Sequence, residues 1–258
     1  MILDSRLQTL DSAQLQNVVA IVLAAGRGSR MKAKTKNKVA FKLNGQPMIT
    51  HTIDHLHQAG IDDIVVVVGY QSDSVKKALG DKVAYAVQAE QLGTGDALKT
   101  ALPLITPGVI TVLAVYGDDS AFYPPSLFTQ MVTKKESLDC DLLFLTIHKE
   151  DPTGLGRILR DKSGKILRIV EEKVATEDEK KIKEINTGFY CFDKKFLVQY
   201  LDKIKRNSVS GEYYLTDMIE IALNNGKKVE ALFVGDDSIW HGVNNRSDFV
   251  KAKIKMKT

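Results

Sequence analysis

Apolar and polar positions follow two alternating patterns through the first half of the chain. Short β-branched runs at Val18–Leu23, Ile64–Val68, Val83–Val87, Val109–Val115 and Asp141–Ile147 predict strands. Ile64–Val68 is apolar at every position, as expected of a strand buried on both faces. Between these runs the spacing turns helical at Pro47–His57, Asp73–Leu79, Asp96–Leu104 and Leu127–Lys135. Pro47 suits the opening of the first helix, and Gly60 closes it. Strands and helices in alternation predict an α/β fold, a mostly parallel Rossmann-like sheet with helices on both faces.

The second half changes character. Arg157–Arg160 and Ile166–Val170, joined by Lys162-Ser-Gly164, read as a hairpin. Thr176–Lys181 is polar, a short helix or loop, and Glu184–Phe192 is a strand. Lys194–Ile204 and Leu215–Leu223 follow as helices, the second stopped by Asn224-Asn225-Gly226. Val229–Val234 is a further strand, and a closing helix starts near Arg246. Leu3, Leu7, Leu10 and Leu15 lie near helical spacing, so residues 1–17 are expected to be an N-terminal extension with a short helix. The hexapeptide repeats of a β-helix are not found in the sequence.

Composition narrows the class. A chain of 258 residues, 44% hydrophobic and 26% charged, can bury the core of one large α/β domain. The net charge of +4 comes from scattered lysines, and the cluster Lys251–Lys257 reads as a solvated tail. With no aromatic interleaving of the kind single-strand binders use, nucleic acid is not an expected partner. No apolar run is long enough for a membrane span, and the first residues lack the apolar core of a signal peptide. Cys140 and Cys191 sit in or beside strand-like segments as free thiols, consistent with a cytoplasmic setting.

The first strand runs into Ala24-Ala-Gly-Arg-Gly-Ser-Arg-Met31, a small-residue loop with Gly26 and Gly28, accompanied by Arg27, Arg30 and Lys38. Small residues admit a ligand close to the backbone, and free N–H groups with cations suit a polyphosphate. Gly28-Ser29-Arg30 lacks the ending of a P-loop, and Met31 stands where a dinucleotide fingerprint needs glycine. Gln88-Ala-Glu-Gln-Leu-Gly-Thr-Gly-Asp96 joins a strand end to a helix, and the Gln88 amide can read the imide edge of a pyrimidine. Asp118, at the end of a buried strand in Val115-Tyr-Gly-Asp-Asp119, offers the hard oxygen that Mg²⁺ prefers. Asn244 or Asn245 could add a neutral oxygen. Gly154, Glu171 and the turn Asn186-Thr-Gly188 group amides and carboxylates suited to sugar hydroxyls. The five histidines form no triad or metal cluster.

In order, these segments resemble the uridyltransferase domain of bacterial N-acetylglucosamine-1-phosphate uridyltransferases, within the sugar nucleotidyltransferase family. The resemblance covers roughly residues 18–250. It is carried by Leu23-Ala-Ala-Gly-Arg-Gly-Ser-Arg-Met31, Gln88–Gly95, Tyr116-Gly-Asp118, Asp151–Ile158, Ile169-Val-Glu-Glu-Lys173, Glu184–Gly188, Gly211–Asp217 and Gly242–Arg246. It implies a GT-A-like nucleotidyltransferase fold with a smaller sugar-binding β lobe. Residues 18–258 would form a single domain, its nucleotide half at about 18–150 and its sugar half at about 151–250. Arg30 and Lys38 would be catalytic, holding the triphosphate. Leu23, Ala24, Ala25, Gly26, Gln88, Gly93 and Thr94 would bind the nucleotide. Tyr116, Gly154, Glu171 and Asn186 would contact the sugar, and Asp118 and Asn244 would coordinate Mg²⁺.

The implied reaction is Mg²⁺-dependent uridylyl transfer from UTP to a hexosamine 1-phosphate, above all N-acetylglucosamine 1-phosphate. The same chemistry on another sugar 1-phosphate or with dTTP is one alternative, and a non-catalytic nucleotide-sugar sensor another. Three departures from the family pattern stand out: Asn37 where proline usually precedes the lysine, the acidic and aromatic loop Asp119–Pro124, and Val174 in place of an acid. The trimer of the resembling enzymes rests on a β-helix that this sequence lacks. A monomer is therefore expected, with Leu3, Leu7 and Leu10 as the seat of any dimer contact.

Overall fold

The computed structural model describes residues 15–31, 35–172, 174–235, 237–243 and 245–256, Arg30 through its backbone only. The expected leading helix falls mainly on residues 1–14, outside the described residues, as do Leu3, Leu7 and Leu10. Leu15 is buried in the core.

The strands are β1 Val18–Ala24, β2 Lys42–Leu43, β3 Gln46–Pro47, β4 Ile64–Val68, β5 Ala84–Val87, β6 Thr111–Tyr116, β7 Leu142–His148, β8 Arg157–Arg160, β9 Ile166–Val170, β10 Glu184–Asp193 and β11 Val229–Val234. The helices are α1 Met48–Gln58, α2 Ser72–Leu79, α3 Thr94–Ala101, α4 Pro125–Leu138, α5 Glu177–Lys180, α6 Lys194–Tyr200, α7 Asp217–Asn224 and α8 Arg246–Lys255. One sheet runs β11-β7-β10-β6-β1-β4-β5, with the β8–β9 hairpin joined through β8 to β10. All of these pairings along the main path are parallel except those of β10, which is antiparallel to both β6 and β7. The expected mostly parallel sheet with helices on both faces is what forms.

Alternation along the central strands divides the core. Val18, Ala20, Val22 and Ala24 pack into one cluster with α1, α2 and α4, while Val19, Ile21 and Leu23 pack into the other with α3, α6 and α7. Every position of β1 and β4 is buried, which is why both read as continuous apolar runs. A third cluster joins Leu43, Met48, Ala121 and Val243 with Ala252 of α8, and so ties the C-terminal helix to the region beside Lys38.

Two features depart from the sequence reading. The antiparallel sense of β10 follows from its connection: after His148 the chain stays at the carboxyl end of the sheet through the β8–β9 hairpin. No long crossover helix returns it to the opposite end, so β10 enters from the carboxyl end and runs back. The β2–β3 hairpin, turned by Asn44-Gly45 with φ of 46° and 86°, also lies where no strands were expected. Elsewhere the differences are at element ends. The expected helices Asp96–Leu104 and Lys194–Ile204 finish as 3-10 turns over Leu102–Leu104 and Leu201–Lys203. Pro103 explains the first, because it cannot continue the backbone ladder. Among the described residues no helix is long and apolar enough to cross a membrane.

Candidate active site

A cleft of about 630 Å³ opens beyond the carboxyl ends of the parallel strands, the usual ligand position in such sheets. Leu23, Ala24, Ala25, Gly26, Lys38, Gln88, Gly93 and Thr94 are among the residues that line it, as are Tyr116, Asp118, Gly154, Glu171 and Asn186. Every expected site residue whose side chain is described therefore faces this one cleft. The Arg30 side chain and Asn244 lie outside the described residues.

The loop after β1 is fixed by Asn37, which is 1% exposed. Its Nδ2 donates to the carbonyls of Ala24 at 2.9 Å, Gly26 at 3.2 Å and Tyr70 at 2.8 Å, two N–H groups shared among three acceptors. Its Oδ1 accepts from Val39 N–H at 3.1 Å, and its own N–H donates to Ser74 Oγ at 2.9 Å. Proline at this position could make none of these bonds. Asn37 also caps the 3-10 turn Lys38–Ala40 and so aims Lys38 across the cleft. There the Lys38 ammonium contacts Asp118 Oδ2, with the two side chains only 17% and 12% exposed. The Val243 N–H donates to the Asp118 carbonyl at 3.4 Å, which brings the segment just before position 244 alongside Asp118.

Gln88 is buried at the end of β5. Its Nε2 donates to Gly93 O at 3.0 Å and to Asp96 Oδ2 at 2.7 Å. Gly93 owes its missing side chain to packing: a Cβ there would lie 2.5 Å from Tyr213 O and 2.7 Å from Tyr213 N, on backbone with φ of 106°. No such explanation applies to Gly26, where a Cβ would meet no atom within 4 Å among the described residues. Thr94 Oγ1 accepts from Leu215 N–H at 2.9 Å, pinning the start of α3 to the chain that leads into α7.

Also at the cleft, β10 bulges between Asn186 and Tyr190, spending four residue steps against two on β7. Gly188 in the bulge has φ of 82°, and a Cβ there would overlap the Tyr116 ring. Asn186 Nδ2 donates to the Tyr190 hydroxyl at 2.7 Å, and Tyr190 in turn lies beside Tyr116. Burial raises the Tyr116 and Tyr190 phenols well above their ordinary range, so both stay neutral. Arg157, 2% exposed, donates to Leu155 O and pairs with Glu172, whose carboxylate also accepts from Gly154 N–H at 3.3 Å. These bonds clamp the Gly154 turn to the segment carrying Glu171. Desolvation raises the Glu171 carboxyl above its ordinary value, while the Arg157 charge opposes the shift.

A nucleotidyl transferase family model matches residues 19–258. The chain belongs to the nucleotidyl transferase family. It is 41% identical over 238 residues to the bifunctional protein GlmU of Bacillus licheniformis, covering 92% of this chain and 52% of that protein. The GlmU protein of Enterococcus faecalis is 42% identical over 232 residues, covering 90% and 50%. The chain thus spans about half the length of the curated relatives it matches. The fold also matches a solved structure from Bacillus anthracis, described as a candidate glucose-1-phosphate thymidylyltransferase in complex with sucrose. The TM-score is 0.77 at 23% identity, covering 93% of this chain and 95% of that one.

In this nucleotidyl transferase, sequence reasoning gave no role to Asn37, Asp96 or Arg157. Asn37 was visible only as a departure from proline. Arg157 stands inside the segment Asp151–Ile158, but nothing in the sequence signals a buried cation. The Asp119–Pro124 loop proves to be packed into the core: Tyr123 stacks on Phe189 at 5.3 Å, and Phe122 meets His241 edge-on at 5.6 Å. Val174, 73% exposed, lies outside the cleft wall.

Proposed function

We propose that the cleft transfers a uridylyl group from UTP to a hexosamine 1-phosphate, N-acetylglucosamine 1-phosphate first among candidates, releasing pyrophosphate. The observation that carries this reading is the Lys38–Asp118 contact, in a cleft that Gln88, Gly93 and Thr94 line together with Tyr116, Glu171 and Asn186. Similarity to the GlmU proteins over nine-tenths of the chain supports it.

A phosphate oxygen of the sugar 1-phosphate attacks the α-phosphorus of UTP. A P–O bond forms there as the bond to the β-phosphate oxygen breaks, and pyrophosphate leaves with that electron pair. The attacking oxygen is already anionic near neutral pH, so no side chain need act as base. Catalysis then rests on positioning and charge neutralisation. Lys38, with Arg30, stabilises the negative charge gathering on the leaving pyrophosphate. Gln88 and the small residues of the first loop seat the nucleotide, while Gly154, Glu171 and Asn186 orient the sugar.

The donor set fits magnesium. Asp118 presents a hard carboxylate oxygen at the cleft, already in contact with one cationic partner. A single protein carboxylate suits an ion that keeps several waters and shares substrate phosphates. Asp118 would hold it, with Asn244 as second ligand, and it would supply charge neutralisation across the phosphates. A cytoplasmic setting accords with the two buried free thiols.

Pyrophosphate release over a matrix of UTP, dTTP, CTP and ATP against N-acetylglucosamine, N-acetylgalactosamine and glucose 1-phosphates tests the assignment. The expected maximum is UTP with N-acetylglucosamine 1-phosphate. A maximum at glucose 1-phosphate or dTTP would move the substrate assignment, and no release with any pair would overturn it.

A further inference from the structure

Resting on the reading that Gln88 faces the base, we infer that Asp96 is a positioning residue that fixes the Gln88 amide and thereby restricts the nucleotide to bases carrying an N–H at the ring position Gln88 meets. A glutamine amide has two donor hydrogens on Nε2 and acceptor lone pairs on Oε1. Both hydrogens are committed here, one to Gly93 O at 3.0 Å and one to Asp96 Oδ2 at 2.7 Å. A carbonyl and a carboxylate can only accept, so turning the amide over would set Oε1 against two acceptors. The orientation is therefore set by chemistry, and Oε1 is left for the cleft.

Gln88 thus presents an acceptor, although its side chain in isolation could present either group. An acceptor pairs with the imide N3–H of uracil or thymine and is repelled by the N3 lone pair of cytosine. It does not separate UTP from dTTP. Asp96 is well placed for this work, because an acid in the first turn of α3 is favoured by the helix dipole. Its charge also makes the bond to Gln88 stronger than a neutral pair would be. Gly93 O alone would leave the amide less firmly held, since one of its two fixed acceptors would be gone.

The test compares kcat/KM for UTP, CTP and N3-methyl-UTP in the wild type, Asp96→Ala, Asp96→Asn and Gln88→Ala, with a melting curve for each variant. The wild type should prefer UTP over both probes by at least about tenfold, the effect of one unmet buried hydrogen bond. Asp96→Ala should cut that preference by about fivefold or more. Asp96→Asn, which keeps the packing but can donate as well as accept, should shift it in the same direction even if the alanine variant does not fold. A loss of general stability alone would lower activity without changing the ratio among the three nucleotides. If Gln88→Ala abolishes the preference while both Asp96 variants retain it, the role of Asp96 is overturned. If Gln88→Ala also leaves the preference intact, the assignment of Gln88 to the base fails with it.

Discussion

Gly188 is under a tight local constraint at the cleft. Its φ of 82° and the Tyr116 ring against it leave no room for a methyl group. Gly188→Ala should destabilise the fold by about 1–3 kcal/mol through overpacking. Because Tyr116 and Asn186 are the proposed sugar contacts, KM for the sugar phosphate should rise more than KM for the nucleotide. Urea denaturation with steady-state kinetics on both substrates checks this, and an unchanged midpoint would contradict the packing account. At this scale the sequence identified which residues meet but not how they are engaged. Gln88 was legible as an amide that could donate or accept; only the folded contacts with Gly93 and Asp96 commit its donors. Gly93 was legible as a residue without a side chain, yet Tyr213 is what requires that, and Tyr213 is 120 residues away in the chain.

At the scale of elements, hydrophobic periodicity located almost every strand and helix, because burial on one or two faces writes itself into the spacing. Strand direction is not written there, since an apolar run reads the same both ways; β10 was recognised as a strand but its antiparallel sense was not. The β2–β3 hairpin was missed because its strands are two residues each, too short for any period, although Asn44-Gly45 was a usable turn signal. The start of α7 carries a pH-dependent cost. Asp217 is pushed up to about 6, first by burial and then by Glu220 and Glu171. The folded chain holds this proton to higher pH than the unfolded chain, whose aspartate titrates near 3.8. The resulting stabilisation is complete below that value and is lost as pH rises through about 6. Asp217→Asn should therefore raise Tm at pH 7.5 by about 2–4 °C, the equivalent of roughly 1 kcal/mol. The advantage should shrink as pH falls and be gone well below pH 3.8, and an offset independent of pH would count against it.

At the scale of the molecule, the sheet gathers segments from residue 23 to residue 243 at one end. Motifs scattered along the sequence become one cleft for this reason: parallel strands deliver their carboxyl ends to the same edge, and antiparallel β10 brings Asn186 there by its opposite end. The motifs and their order made the family resemblance legible before any contact was known. The buried supports Asn37 and Arg157 were not legible, because their partners are mostly backbone carbonyls and a distant carboxylate. Lys38 and Asp118 are proposed to sit where the two substrates react. Pyrophosphate release from UTP and N-acetylglucosamine 1-phosphate with Mg²⁺, comparing wild type with Lys38→Ala and Asp118→Ala, checks this. Turnover should fall by at least about a hundredfold in each variant, the scale of losing one preorganised charge-stabilising group. Near-normal turnover in both would contradict it.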